Sequence, residues 1–250
     1  MISPTLACAD YLHLENDIRD MDRAGVDFYH IDIMDGHFVP NLCLNFDMVK
    51  AIRSISSTPM DVHLMVTNPM DYVDRLAELQ VEYACAHVGA LPDPAAFLSA
   101  LRDRGIRPGL VLSPEDGVER VEPYLDRAAL VLVMGVKPGF SGQRFLPETL
   151  DKLHKLSALK KEKDFSFLLE VDGGIGWDNI RACTQAGAEL AVAGVFAVFG
   201  QEDMGLYLSL IHICTSYRCG NPTIVSTFNV LVDPEAFEVL LDSGVPLRCV

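Results

Sequence analysis

Two histidines and two aspartates near the ends of predicted strands form the residue set best able to do chemistry. His30 and Asp32 stand two apart in the segment FYHIDI, so their side chains point to the same face of a strand. His63 holds the matching place in DVHLM, and Asp172 ends FLLEVD. Two imidazoles and two carboxylates suit one divalent metal ion such as Zn²⁺, Fe²⁺, Mn²⁺ or Co²⁺. The alternative is a buried salt-bridged network without metal, which is disfavoured because burying two carboxylates is costly unless cations compensate.

The two carboxylates of this set also fit a two-base proton transfer. One carboxylate can remove a proton α to a carbonyl while the other returns a proton to the opposite face, and this epimerises the carbon. The metal would bind the ketone and hydroxyl oxygens and stabilise the enediolate as a Lewis acid. Met34, Met65 and Met134 follow or end strands of the same set. Their thioethers either line the reacting carbons or fill gaps in the core.

Glycine clusters close three late strands or loops, where bare backbone can approach an anion. They are PGFSGQ (138–143), DGGIG (172–176) and AGVFA (193–197). Successive N–H groups with a helix N-terminus behind them bind phosphate without a basic side chain. Ordinary turns also use glycine for positive φ, so the sequence predicts a phosphate site only from the clusters taken together.

Eight short apolar runs alternate with amphipathic segments, and these elements must position the chemical groups. The runs are Ile2–Cys8, Phe28–Ile33, Met60–Met65, Glu82–His87, Pro108–Leu112, Ala129–Met134, Phe167–Val171 and Glu189–Ala193. Helical segments between them include Tyr11–Ala24, Asp71–Leu79, Pro94–Arg104, Pro147–Lys160 and Trp177–Ala186. Repeated βα units predict an α/β fold with a parallel sheet, and eight units favour a closed (β/α)8 TIM barrel over an open sheet. In such barrels the chemistry lies at the carboxyl ends of the strands.

The charge and the apolar pattern exclude several classes of partner. The formal net charge is −15, which argues against nucleic acid because binding its backbone draws on clustered Lys and Arg. The apolar runs are far shorter than the roughly 20 residues of a membrane span, and no basic segment precedes an apolar one at the N-terminus. We therefore expect a cytoplasmic protein with no membrane partner. The seven cysteines contain no C-x-x-C pair and are expected to be reduced, mostly buried thiols.

Four segments, in matching order and spacing over residues 1–205, closely resemble the ribulose-phosphate 3-epimerase family. They are HIDIMDGHFVPN (30–41), DVHLMV (61–66), PGFSGQRF (138–145) and LEVDGGI (169–175). The resemblance implies the epimerisation of ribulose 5-phosphate to xylulose 5-phosphate, an isomerase step of the pentose phosphate pathway, by a homo-oligomer. It also implies that His30, Asp32, His63 and Asp172 bind the metal, with Asp32 and Asp172 as the acid–base pair.

The same resemblance implies a set of substrate-binding residues. They are Thr5, Met34, His63, Met65, His87, Met134, Gly139, Ser141, Gly142, Gly173, Gly174, Gly194 and Val195. Three positions depart from the family pattern: Thr5 replaces a serine, Lys137 stands where Asn or Asp is common, and Val195 replaces Ser or Thr. The departures bear on substrate preference and leave the reaction type unchanged. Asp35, in the loop after the first histidine, is expected to be structural.

Two other functions remain open. HIDIMDGHFVPNL and HLMVTNPMDY also resemble allulose-6-phosphate 3-epimerase, which acts on a six-carbon ketose phosphate, whereas VDGGI favours the pentose enzyme. A non-catalytic barrel that binds a sugar phosphate is the second alternative. The pair Asp32 and Asp172 argues against it, because binding alone does not require an acid and a base.

Residues 206–250 break the barrel pattern. A final amphipathic helix should follow AELAVAG, but the chain reads YLSLIHICTSYRCGNP. LSLIHI (208–213) matches the translation of a sequencing adapter end, and residues 221–250 resemble an internal piece of the nucleoside hydrolase family around FNVLVDPEA. We therefore predict a barrel at 1–205 with an incomplete or replaced last helix, and a non-native tail at 206–250 from a chimeric reading frame. The alternative is a natural fused domain, but about 30 residues cannot bury a core of their own.

Overall fold

Parallel strands that alternate with helices form a curled sheet in the computed structural model, which describes residues 1–199. The strands are β1 (Ile2–Pro4), β2 (Tyr29–Asp35), β3 (Leu42–Cys43), β4 (Met60–Met65), β5 (Tyr83–His87), β6 (Arg107–Leu112), β7 (Leu130–Met134), β8 (Leu168–Asp172) and β9 (Leu190–Ala193). Their order is β1-β9-β8-β7-β6-β5-β4-β2-β3, and every pair except β2 with β3 is parallel. A parallel bridge between Thr5 and His30 brings β1 back to β2 and closes the ring. The predicted (β/α)8 barrel is confirmed.

Six α-helices of the described residues cover the outside of the barrel. They are α1 (Leu14–Ala24), α2 (Phe46–Ile55), α3 (Val73–Glu78), α4 (Pro94–Asp103), α5 (Thr149–Glu162) and α6 (Ile180–Ala186). Each buries an apolar stripe against the strands; in α4, for example, Phe97, Leu98 and Leu101 are fully buried. Within residues 1–199, no helix combines the length and the apolar character that crossing a membrane requires.

The first predicted strand, Ile2–Cys8, is too long. The strand ends at Pro4, and Leu6–Cys8 form a 3-10 turn. The Thr5 hydroxyl caps this turn by accepting a hydrogen bond from the Ala7 amide. Thr5 still donates its backbone N–H to Ala193 O, so the chain leaves the sheet only after this residue.

Two connections also differ from the predicted βα pattern. Helix α2 is not among the helices predicted from periodicity, although its start is encoded by Asn45, whose side chain accepts from the Met48 amide. The connection from β6 to β7 holds only the short 3-10 turns Val118–Arg120 and Glu122–Tyr124. The predicted replacement of the last helix and the tail at 206–250 lie outside the described residues.

The inward positions of the strands divide into an apolar layer and a polar layer. Tyr83, Cys85, Leu130, Leu132 and Leu190 form an apolar cluster of buried side chains. The polar side chains His30, Asp61, His63, His87 and Glu170 are equally buried. Because inward positions recur every second residue, β2, β4 and β8 each bring two or three functional groups to the same interior.

The cysteines within residues 1–199 are free thiols. Burial raises the pKa of Cys8 to about 11 and that of Cys183 to about 12, so both thiols are neutral. Cys43 is half-buried and Cys85 is fully buried. The four thiols form no disulfide among the described residues, as predicted, but only Cys85 and Cys183 are buried, whereas mostly buried thiols were expected. The other three cysteines lie beyond residue 199.

Candidate active site

The four residues predicted to bind a metal converge inside the barrel. One nitrogen or oxygen atom from each of His30, Asp32, His63 and Asp172 lies within 4.8 Å of the others. The register that pairs Asp32 with His63 on adjacent strands brings β2 and β4 together. His63 Nδ1 is 3.2 Å from Asp32 Oδ1, and His30 Nε2 is 3.4 Å from the same oxygen. Asp172 Oδ2, contributed by β8, is 3.9 Å from each of these nitrogens.

This donor set fits a divalent metal ion. His30 Nε2 is buried and has no hydrogen-bond partner among residues 1–199, although it faces two carboxylates. Such a lone nitrogen is rare in a protein interior unless an ion or another group completes it. Two imidazole nitrogens and two carboxylate oxygens at the ends of three strands are the ligands that Zn²⁺, Fe²⁺, Mn²⁺ and Co²⁺ accept.

The two aspartates lie in different electrostatic environments. Burial raises the pKa of Asp32, but the positive charge of His30 when its ring is protonated, and the hydrogen bond from His63, outweigh burial and hold that pKa well below its usual range. Thr5 Oγ1 also donates to Asp32 Oδ2 at 2.5 Å. Burial raises the pKa of Asp172 to about 6, since His30 offsets it only partly and the charge of Asp32 adds to it. One carboxylate is therefore easily ionised, while the other holds a proton more readily.

Two further carboxylates lie beneath the set and were not predicted from the sequence. Asp61 Oδ2 is 2.7 Å from His30 Nδ1, and Glu170 Oε1 is 3.5 Å from the same nitrogen. Both side chains are fully buried, and burial followed by the charge of Asp61 raises the pKa of Glu170 well above its usual value. A signal was present: each acid stands two residues before a predicted ligand, His63 or Asp172, and so shares its inward face.

His87 forms a hydrogen-bond chain with His63. The two Nε2 atoms are 2.9 Å apart, and His87 Nδ1 is 2.8 Å from Ser113 Oγ. Burial and then the neighbouring His63 lower the pKa of His87 well below its usual value, so the ring is neutral. His87 is fully buried. Its contact with the substrate stays a prediction, and its hydrogen-bond contacts in the structure are with His63 and Ser113.

A cavity opens above these groups at the carboxyl ends of the strands. Asp32 and Asp172 line it, together with most of the predicted substrate-binding residues: Thr5, Met34, Met65, Met134, Gly139, Ser141, Gly142, Gly173, Gly174, Gly194 and Val195. His30, His63 and His87 are buried outside this lining. Lys137 contributes the one basic side chain in the lining, as far as residues 1–199 define it.

Loops around the cavity are tied together by side chains that bond to backbone. Asn41 Nδ2 donates to Gly139 O at 2.8 Å and so links the loop after β2 to the glycine-rich loop after β7. Asp35 accepts hydrogen bonds from the amides of His37, Phe38 and Thr67. These bonds fit the structural part predicted for Asp35.

Comparison with known proteins extends the resemblance over the whole described chain. The model of the ribulose-phosphate 3 epimerase family matches residues 1–199. The ribulose-phosphate 3-epimerase of Bacillus subtilis is 37% identical over 203 residues, which cover 81% of this chain and 93% of that protein. The cytoplasmic isoform of Oryza sativa is 38% identical over 214 residues, or 84% and 92% of the two chains.

Solved structures of other enzymes share the fold alone. KGPDC from Streptococcus mutans superposes with a TM-score of 0.63 at 12% identity, over 88% of this chain and 98% of that one. A 3-hexulose-6-phosphate synthase gives 0.60 at 17% identity, over 85% and 97%. The barrel is thus shared by proteins of very different sequence, whereas the sequence matches point to one family. On the family match and these identities, the chain belongs to the ribulose-phosphate 3-epimerase family.

Proposed function

We propose that the protein catalyses the 3-epimerisation of ribulose 5-phosphate to xylulose 5-phosphate. The observation that carries this proposal is the pair Asp32 and Asp172, which reach one cavity from β2 and β8. Epimerisation next to a ketone needs one group to accept the C3 proton and another to return a proton from the other side. The names of the curated relatives support the same reaction.

The surroundings of the two carboxylates suit this proton transfer. The ionised carboxylate takes the C3 proton, and the protonated one then delivers its own proton to the opposite face of the same carbon. The Thr5 hydroxyl, which donates to Asp32 Oδ2, holds that carboxylate in one orientation. Met34, Met65 and Met134 line the same cavity with apolar surface. This apolar lining limits the water around the carbon that exchanges its proton.

His30, Asp32, His63 and Asp172 would hold a divalent metal ion in this site. When bound, the ion supplies a Lewis acid that stabilises negative charge developing on the substrate oxygens. Its identity among Zn²⁺, Fe²⁺, Mn²⁺ and Co²⁺ is left open by the mixed nitrogen and oxygen donors.

The phosphate would lie at the glycine-rich rim. Gly139 and Gly142, with Gly173, Gly174 and Gly194, bring backbone close to the cavity without side chains in the way. Gly139 and Gly173 have φ values of +116° and +105°, which other residues rarely adopt. Lys137 adds one positive charge to the cavity. Because the chain as a whole carries a net charge of −15, a phosphate must be attracted by such local positive charge.

A solvent-exchange assay tests turnover against mere binding. Incubation of the metal-loaded protein with ribulose 5-phosphate in D2O should give xylulose 5-phosphate with deuterium at C3, because the proton returned comes from a group that exchanges with solvent. Absence of deuterium at C3 with saturating metal would favour the sugar-phosphate-binding barrel instead.

A comparison of a five-carbon and a six-carbon substrate tests the length of the sugar. We expect a higher kcat/KM for ribulose 5-phosphate than for allulose 6-phosphate, measured on the same preparation. The reverse order would assign the protein to the six-carbon reaction with the same acid–base chemistry. In either case we expect a cytoplasmic protein that forms a homo-oligomer. Light scattering of the purified protein can test the oligomeric state.

Gly135 controls the position of Asp172 through the backbone. Its N–H donates to Asp172 O at 2.5 Å, and a Cβ at this position would lie 2.5 Å from Gly173 O. Gly135→Ala should therefore move the end of β8 and lower kcat by about 10–100-fold. Gly89→Ala is the matched control, since its Cβ would make only an ordinary contact, 3.7 Å from Arg120. Equal kcat values for both variants would contradict the expected effect.

A further inference from the structure

One histidine of the proposed metal set is held from behind by a buried carboxylate. His30 Nδ1 lies 2.7 Å from Asp61 Oδ2, which is the distance of a hydrogen bond in which one partner is charged. Both side chains are fully shielded from solvent. Asp61 stands on β4 directly beside His30 in the register of the sheet, so the backbone fixes the distance between the two side chains.

This bond decides which nitrogen of His30 is free to bind an ion. A carboxylate can only accept, so Nδ1 must carry the hydrogen. The lone pair of the neutral ring is then on Nε2, which faces Asp32 at 3.4 Å and Asp172 at 3.9 Å and has no other partner among the described residues. The other tautomer would place a hydrogen on Nε2 and oppose binding of a cation there.

Glu170 is the other carboxylate near His30 Nδ1, but it lies too far away to be the main acceptor of the Nδ1 hydrogen bond. Its Oε1 is 3.5 Å from His30 Nδ1, beyond the usual length of a hydrogen bond, whereas Asp61 is well within it. The three groups also do not form a second metal site. Two ligands of one ion, each at roughly 2.0–2.2 Å, would lie more than about 3 Å apart, so the 2.7 Å contact leaves no room for an ion between them.

From this geometry we propose that Asp61 is a positioning residue: it fixes the Nδ1–H tautomer and the ring orientation of His30, so that Nε2 is aimed at the metal ion. The inference rests on the proposed function, because it concerns the same metal site. Carboxylates that accept from a ligating histidine raise its basicity as well as orienting it. Asp61 itself is not among the residues that line the substrate cavity.

The test measures the affinity of the purified protein for Zn²⁺ and Co²⁺ alone, by competition with a chromophoric chelator. Asp61→Ala should weaken both affinities by about 10–100-fold, and Asp61→Asn should recover part of the loss, since an amide oxygen still accepts from Nδ1–H. The visible spectrum of the Co²⁺ form should shift in Asp61→Ala as the ring turns. Asp22→Asn is the matched control: this carboxylate accepts from the hydroxyls of Tyr29, Ser56 and Thr58, away from the site, so the variant should keep the parent's metal affinity.

A second measurement needs no variant and so does not depend on the folding of Asp61→Ala. Nitrogen NMR of the unaltered Zn²⁺ form should show His30 protonated at Nδ1. A His30 that carries its hydrogen elsewhere, or an Asp61→Ala protein that folds and binds Zn²⁺ within about threefold of the parent, would overturn the proposal. Failure of the parent itself to bind either ion would instead overturn the metal site of the proposed function, and this inference with it.

Discussion

Asp32→Asn and Asp172→Asn are each expected to lower kcat for epimerisation by about 10²–10⁴-fold, the usual contribution of one positioned acid or base. Each substitution keeps the shape of the side chain and removes its ability to exchange a proton. The fold should be retained, because both side chains lie at the cavity and outside the apolar clusters. The measurement is kcat with ribulose 5-phosphate at saturating metal, with metal content determined on the same samples.

Isotope exchange separates loss of one base from general damage. With one carboxylate left, the proton on its own side of C3 can still be removed and replaced, so exchange of a single epimer should outlast interconversion. Asp22→Asn again provides a control at a distant carboxylate, and its kcat should match the parent. Interconversion within about tenfold of the parent in either site variant would remove that residue from the two-base mechanism.

His30→Ala and His63→Ala are expected to abolish stoichiometric metal binding. Removing one of four protein ligands leaves three of the donors from His30, Asp32, His63 and Asp172, and no other described side chain belongs to this group to replace the lost nitrogen. Elemental analysis after dialysis should find about one ion per chain in the parent and a small fraction of that in each variant.

An exposed histidine gives the control for this experiment. His154→Ala, on the outer face of α5, should retain the full metal content of the parent. Full occupancy in both His30→Ala and His63→Ala would contradict the ligand assignment.

Much of the fold and of the site followed from spacing alone. Residues two apart on a strand share a face, so His30 and Asp32 could be placed together before any coordinates. Eight apolar runs were enough to predict the barrel, since each becomes a strand buried on both sides. Asp172 lies near His30 on β2 only because the sheet closes into a ring. The number of apolar runs, eight, was the only feature of the sequence that predicted this closure.

Other features depended on tertiary context that a sequence pattern does not carry. The spacing places Asp61 and Glu170 on the inward face, but their contacts with His30 arise only when the closed barrel brings β2, β4 and β8 together. The apolar residues Leu6–Cys8 look like a continuation of the first strand. They form a turn instead because the Thr5 side chain caps it, which the apolar pattern does not reveal. The link between β6 and β7 shows helical periodicity over too short a stretch to be recognised. It forms two short 3-10 turns.

The junction between β1 and β2 links the active site to local opening of the sheet. The described residues form one isolated bridge there, Thr5 to His30, whereas β2 and β4 pair over six positions. Local opening costs least where few backbone hydrogen bonds must break, so amides at this junction should exchange with solvent before those between β2 and β4. Thr5 also bonds Asp32, so each such opening disturbs a carboxylate of the site. An ion shared by His30 and Asp172 would link β2 to β8 across the ring and oppose this opening, so the metal-loaded protein should resist unfolding better than the metal-free protein.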